Sequence, residues 1–320
     1  MTKEKLYKTK KYVHFDDKIS HKQVKNIIKT PSFINKHGFY PFIHFTIEIS
    51  KYNNKLNRLN PEPKCRDIYY ASHIDGYIYK YYGELLNKAY NKYLDKFDLS
   101  HYPIAYRTKM KGKTNIHYAK EVIDFIASHE KCFVFVTDFK DFFDRLNHKY
   151  LKEKICDVLN VDRLSTDFYK VFRNITKYSY IEKHDIERYY MNQGIKRKDV
   201  SNLSRFFTPY TFRKFKKGKV YKHQGNSGIP QGASISAVCS NVYMIDFDYW
   251  IAKHINVFNG LYRRYSDDLI IAIPVENHKY AKKQYKKLNI RLKELLEEVP
   301  DIYLHPEKTE CFLLYWQSIN

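Results

Sequence analysis

Tyr265-Ser266-Asp267-Asp268 stands between two strand-like runs, Leu261-Tyr262-Arg263-Arg264-Tyr265 before it and Leu269-Ile270-Ile271-Ala272-Ile273 after it. Two short β-prone segments around a tight polar turn predict a hairpin. Adjacent aspartates at its tip repel each other unless a cation sits there, and burying paired carboxylates is costly. The chemistry they offer is divalent-metal binding. Aspartate is also a common turn former, so the dipeptide alone fits an ordinary acidic turn equally well. A third carboxylate upstream separates the two readings. Phe133-Val134-Phe135-Val136-Thr137 reads as a buried central strand and delivers Asp138 at its end. Three carboxylates on two neighbouring strands can hold two Mg²⁺ ions roughly 3.5–4 Å apart, the arrangement that serves phosphoryl transfer. Magnesium shares its oxygen ligands with substrate phosphates, so few protein ligands are needed. Asp141 and Asp144 read as solvent-facing or supporting groups.

The elements that must position these groups follow from pattern. Gly228-Ile229-Pro230-Gln231-Gly232 marks a rigid turn. Ile235, Val238, Val242 and Ile245 then repeat on one helix face. Ile74, Ile78, Tyr82, Leu85 and Ala89 predict a helix beginning near His73. A second helix is expected around 118–127, a third through Leu151, Ile155 and Val158, and an amphipathic one through Tyr285, Leu288, Leu292 and Leu295. Gly112-Lys113-Thr114 lacks the glycine spacing of a P-loop. Residues 197–222 are rich in Lys, Arg, Phe and Tyr and fit either a nucleic-acid surface or a mobile basic loop.

In order and spacing, residues 137–144, 228–232 and 265–268 resemble motifs A, B and C of reverse transcriptases. The resemblance implies an α+β right-hand polymerase with fingers and palm, the palm an antiparallel sheet backed by helices. Residues 1–130 would form an N-terminal extension and the fingers, and 131–320 the palm with a basic fingers-side insertion at about 165–226. It assigns Asp138, Asp267 and Asp268, with the backbone carbonyl of Phe139, to two catalytic Mg²⁺ ions, for which Mn²⁺ could substitute. Gln231 would help position the incoming nucleotide over the template. Five places after Asp138, Phe143 occupies the position where reverse transcriptases carry an aromatic ring in the space of a ribose 2′-hydroxyl, which selects dNTPs. Phe143 also fits a plain core role, the usual one for an aromatic residue. Lys64-Cys65-Arg66-Asp67-Ile68 resembles the fingers motif that grips the triphosphate, Arg66 bidentately and Lys64 as a point charge. Residues 303–310 resemble motif D, which makes Lys308 the candidate general acid for the departing pyrophosphate.

Three N-terminal segments, Tyr12-Val13-His14-Phe15-Asp16, residues 37–43 and residues 66–75, resemble bacterial defence-associated reverse transcriptases, type 2 among them. That branch implies an anti-phage role and a dedicated structured non-coding RNA as template. A helical thumb is not expected in the residues after Asp268, so that role would fall to a partner or a further segment. Two other functions stay open: template-independent DNA extension of the phage-exclusion type, and a non-catalytic RNA-binding module of polymerase shape.

Composition agrees with a polyanionic partner. Lys and Arg number 57 against 35 Asp and Glu, a formal net charge of +22, and such an excess gives salt-dependent nucleic-acid binding. The 31 tyrosines and 21 phenylalanines supply faces for base stacking. An AT-rich genome also enriches Lys and Tyr, but does not by itself disfavour Asp and Glu. Five scattered cysteines without a Cys-x-x-Cys pair argue against a disulfide framework and fit a reducing, cytoplasmic setting. Met1-Thr2-Lys3-Glu4-Lys5 has no apolar core, so no signal peptide is expected. No apolar run approaches the roughly 18 residues of a membrane-spanning helix. His14, His37 and His44 lack zinc-ligand spacing and read as hydrogen-bonding groups.

Overall fold

The structure, a computed structural model of the chain, describes residues 7–50, 52–53, 58–59, 63–107, 109–110 and 112–315. Met1–Lys5, considered above for a signal peptide, lie outside them. The strands run β1 (Phe42–Ile49), β2 (Tyr52–Asn53), β3 (Arg58–Leu59), β4 (Lys64–Tyr70), β5 (Lys131–Asp138), β6 (Ser179–Glu182), β7 (Tyr221–Lys222), β8 (Leu261–Tyr265), β9 (Asp268–Pro274) and β10 (Glu310–Tyr315). Among the described residues they form two four-stranded sheets and one two-stranded ribbon, and helices alternate with them along the chain, an α+β architecture. The chain divides into two interleaved compact units: residues up to Glu84 with Leu164–Ser236, and Leu85–Arg163 with the residues from Ala237 onward. Helix Asn115–Ala127 packs against β9, because its apolar face (Val122) closes over Cys132, Val134, Leu261 and Ala272.

The first unit holds the sheet β4-β1-β6-β7. β1 pairs antiparallel with β4, from Ile43 opposite Tyr70 to Ile49 opposite Lys64, and parallel with β6. One face packs on an aromatic core in which Phe15 meets Phe206, Phe207 and Phe212, and Phe207 stacks on Phe215 with ring centroids 4.3 Å apart. The basic stretch 197–222 is therefore folded rather than a loop. Its phenylalanines are buried in that core, and its lysines lie outward over aromatic rings, as Lys214 does over Tyr210 at 4.4 Å. Helix Pro209–Phe215 starts where a proline needs no amide partner, and the Thr208 hydroxyl accepts from the Thr211 amide at 3.2 Å. Helix His73–Lys96 begins where its periodicity predicts. A distant side chain caps it: the Asp16 carboxylate accepts from the amides of His73 (2.9 Å) and Ile74 (3.0 Å).

The second unit holds the antiparallel sheet β10-β5-β9-β8. β5 is central as its apolar run predicts, with Cys132, Phe133, Val134 and Phe135 buried. Helix His148–Leu159 is capped by Asn147, whose side chain accepts from the amides of Lys149 and Tyr150. The helix face expected from Ile235 to Ile245 is interrupted: Ser236–Tyr243 and Ile245–Asn256 are two helices that meet at Met244. The predicted amphipathic helix spans His278–Glu298 with Leu288, Leu292 and Leu295 buried. Among the described residues no helix is long and apolar enough to cross a membrane.

Candidate active site

Strand register assembles the acidic centre. β5 and β9 pair so that Asp138 lies directly opposite Asp268, a relation that sets Cβ atoms about 4.5–5.5 Å apart. β8 and β9 pair through Tyr265 and Asp268, which leaves Ser266-Asp267 as a two-residue turn. Ser266 takes the left-handed conformation at φ +60°, a conformation a tight hairpin turn demands and a non-glycine residue adopts only under tertiary constraint. The Phe139 amide donates to the Asp267 carbonyl at 3.0 Å, so the turn is tied to the strand that carries Asp138.

Asp138 is buried, and its Oδ2 accepts a hydrogen bond from the Lys308 ammonium. Its Oδ1 is buried with no partner. Lys308 arrives on a short strap: the Lys140 amide donates to the Tyr303 carbonyl (2.9 Å), the His305 amide to the Asp138 carbonyl (2.8 Å), and the hydroxyls of Thr137 and Thr309 meet at 2.8 Å. Among the described residues no three Asp, Glu, His or Cys side chains are gathered closely enough to hold an ion. Lys308 already neutralises Asp138, and the Asp268 side chain is exposed. The donor set nevertheless fits a hard divalent cation. It is all oxygen, it lies at paired strand ends, and a buried carboxylate oxygen without a partner is costly unless something takes it.

Phe143 lies half-buried on the 3₁₀ turn Phe142–Asp144, its ring edge-on to Phe142 at 5.8 Å, while Phe142 stacks on the buried Phe139. Asp141 and Asp144 are exposed, and Asp141 pairs with Arg145 at 3.6 Å.

Beneath the turn lies a network that sequence reasoning missed. Arg264 and Asp248 are both fully buried, bonded through Nε to Oδ1 at 2.8 Å and Nη2 to Oδ2 at 2.6 Å. The Tyr262 hydroxyl donates to the same Asp248 Oδ1 at 2.6 Å. Arg264 Nη1 donates to the Ser266 carbonyl (2.8 Å) and to Asn241 Oδ1 (3.2 Å), and Asn241 donates to the Ala105 carbonyl. Burial opposes the guanidinium charge, but Asp248 more than offsets that and holds Arg264 above its ordinary range. The signal was present: Asp248 interrupts the apolar stripe Ile245, Ala252, Ile255, and a charge there must find an opposite one.

Lys64, Arg66 and Gln231 belong to the first unit. Lys64 and Arg66 are exposed on β4, and the Gln231 carbonyl accepts from the Tyr69 amide of that strand at 2.8 Å. Gly232 explains the motif's last glycine. It sits at φ +112°, and a Cβ there would lie 2.4 Å from the Tyr69 carbonyl oxygen. The three histidines hydrogen-bond: His14 to the Tyr70 carbonyl, His37 to Asp75, and His44 to Glu182.

No protein-family model matches the chain, and no curated protein matches it in sequence. In fold it is similar to telomerases. Apo telomerase of Candida tropicalis superposes with a TM-score of 0.55 at 12% identity, over 96% of this chain and 52% of that one. The form truncated from its C-terminal domain gives 0.51 at 14%, over 87% and 53%. Telomerase of Candida albicans, in complex with a TWJ fragment of telomeric RNA, gives 0.51 at 14%, over 91% and 46%. The chain spans about half the length of these telomerases. It shares its fold with these telomerases.

Proposed function

We propose that this chain is an RNA-directed DNA polymerase that adds dNTPs to a primer 3′-hydroxyl, the second unit acting as palm and the first as fingers. The observation that carries the reading is the register that opposes Asp138 to Asp268 while Phe139 holds the Asp267 carbonyl. The motif order, the fold shared with telomerases and the net charge of +22 support it.

Asp138, Asp267 and Asp268, with the Phe139 carbonyl, would hold two Mg²⁺ ions. Bound there, the ions would activate the attacking hydroxyl and neutralise charge on the transferring phosphate. Lys308, hydrogen-bonded to Asp138, would give a proton to the departing pyrophosphate as general acid. The Phe143 ring offers bulk and no hydrogen bond, which disfavours a 2′-hydroxyl. On the first unit, Arg66 and Lys64 are the proposed phosphate contacts and Gln231 the nucleotide-orienting group. RNA is the proposed template. The N-terminal segments' resemblance to defence-associated enzymes supports a structured non-coding RNA and an anti-phage role.

The test is incorporation of radiolabelled nucleotide on an RNA template with a DNA primer and Mg²⁺. It compares dNTPs with rNTPs, with and without template, in the wild type and in Asp267→Asn. Template-dependent dNTP incorporation that disappears in the variant is expected. Undiminished incorporation by Asp267→Asn overturns the site. Incorporation indifferent to template replaces the reading with terminal extension.

A further inference from the structure

The first unit contains a cavity of about 290 Å³ where the N-terminal segment crosses the first turns of helix His73–Lys96. Its volume is near the lower end for small-molecule sites, about 300 Å³, which suits one nucleotide. Lys8, Lys10 and Lys80 line it, together with Tyr12, His73 and Gly76. The helix's first amides are already taken by Asp16, so an anion here would be met by the lysine ammoniums. Glu84 accepts from the Tyr7 hydroxyl at 2.7 Å through Oε2 and lies 4.0 Å from the Lys80 ammonium through Oε1, so Lys80 is partly neutralised and Lys8 and Lys10 are the main anion contacts.

Part of the remaining wall is aromatic, and Gly232, Ala233 and Ser234 complete it. Tyr12 stacks on His73 with centroids 5.2 Å apart and planes 19° from parallel, its hydroxyl anchored on the Ala71 carbonyl at 2.9 Å. His73 is only 3% exposed, and its Nε2 is buried without a partner. Burial holds that imidazole below its ordinary range despite the opposing charge of Asp16. An unpaired ring nitrogen in a buried setting is costly unless a ligand atom meets it. Gly76 leaves the floor open: a Cβ built there meets only the Tyr12 hydroxyl, at 4.0 Å.

We propose that this cavity is a nucleotide-binding site separate from the transfer centre, its lysines taking the phosphate and Tyr12 and His73 the base. Cations beside a π-face and one buried polar atom match a ligand that is flat at one end and anionic at the other. The site lies wholly within the first unit, and its wall includes Gly232, next to the Gln231 of the polymerase reading.

The probes are AMP and a fluorescein-labelled rA₆ oligonucleotide, titrated by calorimetry and anisotropy against the whole chain. Gly76→Leu fills the cavity while removing a glycine from a helix, a change that by itself favours folding. Binding of at least one probe is expected to weaken about tenfold in Gly76→Leu and in Tyr12→Ala, the scale of a lost base stack. Lys8→Ala/Lys10→Ala should weaken it and flatten its dependence on salt. A response of AMP identifies a free nucleotide as the ligand. A response of rA₆ alone identifies a residue within a strand. Should Gly76→Leu unfold, as read by circular dichroism, Tyr12→Ala and the double lysine variant carry the test. Wild-type affinity for both probes in the folded variants, or no saturable binding of either probe to the wild type, overturns the proposal.

Discussion

Replacing Asp248 by asparagine would leave the Arg264 guanidinium at 0% exposure without its counter-ion, while the rest of the hairpin's packing stays in place. Two charge-assisted bonds at 2.8 and 2.6 Å are lost or weakened, and the Tyr262 hydroxyl meets an amide instead of a carboxylate. Breaking a buried pair from one side costs about 3–5 kcal/mol, because the remaining charge is stranded. Against a typical total stability of about 5–15 kcal/mol this is a large fraction. At about 2–4 °C per kcal/mol for chains of this size, the melting temperature should fall by about 6–20 °C. Thermal and urea unfolding followed by circular dichroism measure it. The double variant Asp248→Leu/Arg264→Met removes both charges together and should recover most of the stability. It would not recover the bond from Arg264 to the Ser266 carbonyl, so nucleotide incorporation should remain low after stability returns. A single variant that costs less than about 1 kcal/mol would refute the account of the pair as buried and mutually dependent. A double variant with full activity would refute its role in holding the turn.

Further outcomes follow from other contacts. Gly232→Ala places a methyl 2.4 Å from the Tyr69 carbonyl at φ +112°, and should destabilise by at least about 1–3 kcal/mol in urea titration. Burial pushes His14 down to about 3, below its unfolded value of about 6.5, so between the two the unfolded chain binds the extra proton. Its stabilising contribution is complete above about pH 6.5 and falls by about 1.4 kcal/mol per unit below it. Urea midpoints at pH 7, 6 and 5 for the wild type and His14→Gln should show that slope reduced in the variant. Phe143→Ala should relax discrimination against rNTPs by roughly 10–200-fold, the scale of a steric contact of this size. Competing incorporation of dNTPs and rNTPs reads it, and unchanged discrimination would return Phe143 to a packing role.

Local pattern carried much of this protein. The apolar run ending at Asp138, the strand-turn-strand around Asp267 and the helix starting near His73 all appear close to where their periodicity puts them. These depend on side-chain alternation and turn chemistry within a few residues, which a sequence displays directly. Elsewhere local pattern misled. The basic stretch 197–222 fitted a mobile loop as well as a surface because its charges dominate, yet it is folded and its phenylalanines build the first unit's core. The stripe from Ile235 to Ile245 looked continuous, and the break at Met244 left no local mark.

By itself, then, the sequence determined which carboxylates stand at strand ends, which aromatic residue follows them, and that the chain is strongly basic. Only the tertiary structure decided that Asp138 faces Asp268, that Lys308 reaches Asp138 from the far end of the chain, and that Arg264 is neutralised by Asp248 under the turn. It also decided that Gly232 must be a glycine, because β4 passes within 2.4 Å of where a side chain would begin. Register between strands and the meeting of buried charges depend on which surfaces become neighbours after the chain closes. That choice is made by packing over the whole unit and leaves no signature in any short stretch of residues.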